Sequence, residues 1–176
     1  RVLASNIYTY KLIAYPNSIK DIDSTITSIM KQFPELNSET LKRKLSDKKK
    51  VEVLVKKNII APDAKRINSL GIPGIYFKKD LKRFYPHKNL TSHIVGHIND
   101  NKSGVYGAEK TFNDKLSNGE EIHLSIDLRV QHAVKEELLK GFIQYQSKSA
   151  TAIIINLESS EILSLVSLPD FNPNQS

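Results

Sequence analysis

The 176-residue chain has no cysteine, which excludes disulfides and thiolate-ligated metals. It also lacks any apolar run near the roughly 18–20 residues that a membrane span needs. The longest, around Ala152–Ile155, is only strand-sized. There is no glycine-rich loop of the phosphate-cradling kind, no internal repeat and no low-complexity linker. The chain opens on Arg1-Val2-Leu3-Ala4, without Met and without the apolar segment of a secretory signal, so it reads as a piece of a longer protein. The missing cysteines fit a cytosolic protein and a disulfide-free periplasmic one equally well.

What is present suits a soluble globular fold: 39% hydrophobic and 26% charged residues, in a chain long enough to bury a core. The net charge of +7 is unevenly spread. Between Lys42 and Lys57 eight Lys/Arg face only Asp47 and Glu52, and a second cluster holds Lys78, Lys79, Lys82, Arg83 and Lys88 against Asp80. Such runs attract nucleic acid, anionic headgroups or an acidic partner, or else form a solvated face.

Periodicity divides the chain into short elements. Ile7–Ala14 alternates like a strand and stops at Tyr15-Pro16-Asn17-Ser18. Ile19–Phe33 is helical by the spacing of Ile22, Ile26, Ile29, Met30 and Phe33, and Ser38 caps a second helix with Leu41 and Leu45. Val51–Val55 is a strand. Pro62 opens a helix with Ala64, Ile67 and Leu70 on one face, ended by Gly71. Ile75–Tyr85 and His93–Ile98 read as extended, Tyr106–Leu116 as helical up to Ser117-Asn118-Gly119, and Glu121–Ile126 as an alternating strand. Asp127 then caps the clearest helix, with Val130, Val134, Leu138, Phe142 and Tyr145 in one stripe. Strands Ala150–Leu157 and Glu161–Leu168 form a hairpin. Without a regular βαβ rhythm, the pattern predicts an α+β fold of mixed short strands and helices.

Few residues offer catalytic chemistry. Ser28-Ile29-Met30-Lys31 and Ser46-Asp47-Lys48-Lys49 have the Ser-x-x-Lys spacing of acyl-serine enzymes. With 18 Ser and 21 Lys in 176 positions, chance supplies about two such matches, and neither Ser-x-Asn nor Lys-Thr-Gly accompanies them. His93 and His97, if on a strand, stand about 13 Å apart at ~3.3 Å per residue, too far to share a metal. No cofactor or metal is therefore expected. Tyr76, Phe77, Phe84 and Tyr85 interleave with Lys78, Lys79, Lys82 and Arg83 as in single-strand binders, so a small basic nucleic-acid-binding domain is the alternative function. Strand alternation argues against it by sending half of those rings inward.

An ordered series of motifs resembles the class B penicillin-binding proteins. Arg83-Phe84-Tyr85-Pro86 is similar to their Arg-x-Tyr-Pro motif, His93-Ile94-Val95-Gly96 to the segment after it, and Gly104-Val105-Tyr106-Gly107-Ala108-Glu109 to Gly-x-x-Gly-x-Glu. Leu124-Ser125-Ile126-Asp127 with Val130-Gln131 resembles the entry to the first transpeptidase-domain helix. Glu161-Ile162-Leu163 and Pro169-Asp170-Phe171-Asn172-Pro173-Asn174 resemble the strand and loop that follow, and Leu3-Ala4-Ser5 the tail of a front motif. Departures fall in turns and loops: His87-Lys88, Ser159-Ser160 and Asn172.

The resemblance implies a peptidoglycan D,D-transpeptidase that cross-links stem peptides through an acyl-serine intermediate and is inhibited by β-lactams. Residues 1–121 would be its non-catalytic pedestal or dimerisation module, and 122–176 the start of its transpeptidase domain, with the nucleophile beyond Ser176. The short interval from Leu3-Ala4 to Arg83 favours the division branch. Implied partners are the protein's own transpeptidase domain, a membrane glycan polymerase and other division proteins, and no nucleic acid. The implied location is the periplasmic side of the bacterial inner membrane, with a single-pass anchor ahead of Arg1. No catalytic residue is expected here. Arg83, Tyr85, Pro86, His93, Gly96, Gly104, Gly107, Glu109, Asp127 and Gln131 are expected to be structural. Arg83 and Glu109 either pair with each other or leave Glu109 to an arginine of the front motif.

Overall fold

Alternating aromatic and aliphatic residues build strand β1 (Ser5–Ala14), the middle strand of a three-stranded sheet, in a computed structural model that describes residues 1–175. β2 (Val53–Ile59) pairs antiparallel with it, Ala14 opposite Val53, and β3 (Ile75–Phe84) lies along its other edge. Helix α1 (Ile22–Gln32) starts where the Asp21 carboxylate accepts a hydrogen bond from the Ser24 N–H. Helix α2 (Ser38–Ser46) starts one residue earlier than expected, because Asn37 rather than Ser38 caps it through the Thr40 N–H. In α3 (Ala61–Asn68), Pro62 sits in the first turn, where its missing N–H has no intrahelical partner to lose.

The chain divides into two compact units. The first, Asn6–Lys82, holds this sheet and its three helices, and is called here the sheet unit. Leu12, Ala14, Ile26, Ile29, Leu41, Leu45, Val53, Ile59 and Ile67 form its continuous apolar core. Leu70, expected on the inner face of α3, is exposed: the helix ends two residues before it and the chain turns away through Gly71.

The second unit comprises Arg1–Ser5 and the residues from Arg83 onward. It contains the short helices α4 (Ser92–Val95), α5 (Gly107–Thr111) and α6 (Asn113–Ser117), then α7 (Leu128–Gln144) and the antiparallel hairpin of β4 (Ala150–Ile155) and β5 (Ile162–Leu168). α7 packs against the hairpin through half-buried Val130, Val134, Leu138 and Phe142, while Tyr145 at its end is exposed. Ile153, Ile154, Ile155 and Leu157 also remain exposed, so the hairpin keeps an open apolar side.

Two expected strands differ. Residues 92–95 form a helical turn, since four residues satisfy a helical and an alternating pattern equally well, and Gly96 at φ +78° ends it. In residues 121–126 the side chains do alternate, yet no ladder forms. The Ser125 hydroxyl donates to the Ile162 carbonyl (2.7 Å), and just beyond the segment the Asp127 N–H donates to the Leu163 carbonyl (2.9 Å), both on β5. The fold is α+β, and among the described residues no helix is long and apolar enough to cross a membrane.

Candidate functional site

Most of the motif residues converge within the second unit. Where β3 ends, the Arg83 Nε donates to Glu109 Oε1 at 2.7 Å, with the side chains 15% and 5% exposed. Tyr85 is buried beside them. Burial, and then the negative charge of Glu109, push its hydroxyl far above the ordinary phenol range, against the opposing pull of Arg83. Pro86 follows at the surface.

Glu109 is brought there by close backbone packing. Gly107 opens α5 at φ +61°, and a Cβ on it would lie 2.7 Å from the Gly96 nitrogen. A Cβ on Gly96 would fall 1.9 Å from the Tyr106 carbonyl oxygen. Only glycine lets these two segments touch. Gly104 lies against the Glu109 carbonyl in the same manner and donates its N–H to Asn113 Oδ1 at 2.8 Å.

The second convergence is Gln131, the one fully buried residue of α7. Asp127 starts that helix by accepting from the Arg129 N–H, and the hydrogen-bonded Arg129 guanidinium holds its carboxyl well below the usual carboxylate range. One turn on, the Gln131 amide nitrogen donates to the Leu90 carbonyl (2.9 Å) and the Leu165 carbonyl (2.8 Å). Its oxygen accepts from the Ser164 hydroxyl (2.8 Å) and the Leu165 N–H (2.9 Å). All four bonding positions of the amide are filled, so α7, β5 and the 88–91 turn are fixed together.

Further polar contacts reinforce this join. The Asn174 amide accepts from the Tyr85 N–H and donates to the Tyr85 carbonyl, both at 3.0 Å. Asn89 donates to Asp170 at 3.0 Å, and Lys135 pairs with the same carboxylate. Burial raises the Asp170 carboxyl, but the hydrogen bonds from Asn89 and Lys135 and the Lys135 charge outweigh it, leaving it below the usual range. His93 Nε2 lies 3.1 Å from the Pro169 carbonyl, and the rings of His93, His97 and Tyr106 stand edge-on around Phe171. We call the whole arrangement the clasp, and the unit that holds it the clasp unit.

The description of the penicillin-binding protein dimerisation domain matches residues 1–126. The chain belongs to that family. Across 99% of its length it is 30% identical to the probable peptidoglycan D,D-transpeptidase FtsI of Caulobacter vibrioides and 28% identical to the probable peptidoglycan D,D-transpeptidase PenA of Neisseria gonorrhoeae. It covers 30% and 35% of those proteins, and so spans about a third of the relatives it matches. A crystal structure of penicillin-binding protein 2X from Streptococcus thermophilus shares the fold, with a TM-score of 0.66 at 16% identity over 99% of this chain and 34% of that one.

The chain is thus the dimerisation region of a class B penicillin-binding protein. Ser28 and Lys31 lie on α1, and Ser46 ends α2, with Lys49 exposed beyond it; all four belong to the sheet unit. Part of each basic run is engaged: Lys42 with Asp23 (2.9 Å), Lys56 with Glu35 (2.5 Å) and Lys78 with Glu52 (2.6 Å). Lys44 donates to the Leu54 carbonyl. Among the described residues, no three His, Asp or Glu side chains are placed to share a metal. Sequence reasoning did not single out Asn89, Asp170, Phe171 or Asn174 as site residues. Of these, Asp170, Phe171 and Asn174 stand in a segment it did quote, Pro169 to Asn174, and that segment was the one available signal.

Proposed function

We propose that this chain is the pedestal of a division-branch peptidoglycan D,D-transpeptidase, and that it holds the penicillin-binding domain in place. In this reading residues 1–121 form the non-catalytic module and residues 122–176 begin the transpeptidase domain. The motif positions from Arg83 to Gln131 are structural. The observation that carries the reading is the clasp: Gln131, Asn174 and Asp170 bond the 85–91 segment directly to α7, β5 and the loop after it. A buried amide with all four bonding positions filled, as in Gln131, fixes one geometry, where apolar contact alone allows sliding. The likeness to proteins named FtsI supports the division branch. Periplasmic placement and a membrane glycan polymerase as partner belong to the same reading.

The test uses the longer protein with its transpeptidase domain. Gln131→Leu combined with Asn174→Ala should slow acylation by a fluorescent penicillin. The present chain alone should gain no mass with a β-lactam, at Ser28, Ser46 or elsewhere. Unchanged acylation in the double variant, or stoichiometric adduct on this chain, would sink the proposal.

A further inference from the structure

The two units differ sharply in charge. Asn6–Lys82 holds sixteen Lys and Arg against eight Asp and Glu, a net +8, whereas the rest of the chain holds ten against eleven, a net −1. Within the sheet unit, the Tyr15 N–H donates to the Gly74 carbonyl at 2.8 Å, and Lys11 pairs with Asp80 at 3.0 Å. β1 and β3 therefore run antiparallel, and the chain enters and leaves this unit at one end of the sheet. The opposite end is a tip made of residues 15–20, 47–52 and 71–76. Its loops are joined by Lys48, which donates to the Pro16 and Ile19 carbonyls, and by the edge-on rings of Tyr15 and Tyr76 at 5.1 Å.

The tip combines cations with exposed apolar groups. Among the described residues, no carboxylate pairs with Lys20, Lys48 or Lys49. The acidic groups nearby are already engaged: Asp21 caps α1, Asp47 bonds the Lys49 N–H and pairs with Lys50, and Glu52 takes Lys78 and the Tyr15 hydroxyl. Directly after the lysine triplet, Val51 is 75% exposed, and Tyr76, at the start of β3 in the same tip, is 53% exposed.

We propose that this tip docks on an anionic lipid surface, with Lys20 and Lys49 attracting the headgroups and Val51 and Tyr76 entering among them. The tip is a set of loop ends without a groove of its own, which suits a bilayer better than a discrete partner. Long lysine stems adapt to fluid headgroups. A tyrosine with an apolar ring and a polar hydroxyl suits the headgroup depth. A single nucleic-acid strand would want open ring faces along a groove, whereas the Tyr76 ring is packed against Tyr15.

The test measures co-sedimentation of this chain with vesicles of phosphatidylcholine containing about 30% phosphatidylglycerol, near physiological salt. Binding should be strong there, weak with phosphatidylcholine alone, and reduced at about 0.5 M salt. Each lysine near an anionic surface contributes about fivefold, so Lys20→Gln with Lys49→Gln should lower partitioning about 25-fold at an unchanged melting temperature. The chain has no tryptophan, so Val51→Trp makes a single reporter whose emission should shift to the blue on binding. If that variant misfolds, Tyr76→Trp serves. Equal binding to neutral vesicles, full binding by the double variant, or an unshifted reporter on bound protein would each overturn the proposal. So would tighter binding of single-stranded DNA or polyglutamate through the same lysines.

Discussion

Buried side chains in the sheet unit are nearly all aliphatic, from Leu12 and Ile29 to Leu45 and Ile67, whereas those of the clasp unit include Glu109, Gln131, Ser164, Thr91 and Ser92. Apolar burial is strong and non-directional, so it holds a unit together without dictating a single alignment of its parts. A buried amide or ion pair stabilises less, yet punishes every misalignment because its partners are left unsatisfied. The same contrast appears at the surface. The sheet unit shows a basic exterior, while the clasp unit leaves Ile153, Ile155 and Leu157 open on its hairpin. One unit is built to persist, the other to hold elements in register.

Removing one charge from the clasp should give the largest effect. Glu109→Ala takes the buried carboxylate from the half-buried Arg83 guanidinium, and losing one member of a buried pair costs up to about 3–5 kcal/mol. Arg83→Ala should cost a similar amount, and the double variant much less than the sum. Thermal melts of the three variants measure this coupling, and additive losses would mean that the pair is not a unit. Next comes the aliphatic core: Leu45→Ala, at a fully buried position, should cost about 2–5 kcal/mol through lost contacts and a residual cavity. Hydrogen exchange should then rise across residues 6–82 while α7 and the hairpin keep their protection. Uniform loss across the chain would break the comparison.

Much of this contrast is legible in the sequence alone. The stripe of α7, its Asp127 cap and the β4–β5 hairpin follow from long, regular patterns, and the core of the sheet unit from the spacing of Ile22, Ile26 and Ile29. Short segments misled. Four residues at 92–95 carry too little period to separate helix from strand, and 121–126 alternates without a neighbour to complete a ladder. The clasp itself was only half visible. Arg83 and Glu109 stood in motif segments, but two partners were open for Glu109, and only the packing of Gly96 on Gly107 brings it to Arg83. The bond from Asn174 to Tyr85 spans 89 residues and is made by one side-chain amide with one backbone peptide, which leaves no periodic trace.

Gln131 gives a smaller effect and a sharper one. Gln131→Leu keeps the side-chain size but leaves the Leu90 and Leu165 carbonyls, the Leu165 N–H and the Ser164 hydroxyl without this partner. Each buried polar group left unsatisfied costs about 1–3 kcal/mol, less wherever water enters. The informative readout is local: amide exchange at 163–166 and near Leu90 should accelerate together. If only one of the two sites responds, Gln131 is not what couples them.

The smallest expected effect separates the units by pH and salt. Asp170, 18% exposed, is held below the usual carboxylate range by Asn89 and Lys135, although burial pushes the other way. Between its folded value and the unfolded one, near pH 4, the unfolded chain binds more protons, so stability rises with pH across that interval. The contribution is complete above about pH 4 and is lost as the pH falls through the lower, folded value. Glu35 and Glu52 in the sheet unit are also depressed, by hydrogen bonds from Lys56 and Lys78, and act in the same direction. Their side chains are 58% and 46% exposed, so about 0.5 M salt should screen most of their contribution but little of Asp170's. Melting temperatures of wild type, Asp170→Asn and Glu35→Gln between about pH 3 and 6, at low and high salt, measure the difference. Asp170→Asn should flatten the acid limb at both salts, and Glu35→Gln only at low salt. An acid limb that vanishes at high salt in the wild type would place Asp170 with the surface pairs, and the clasp would then be no more shielded than the sheet unit's exterior.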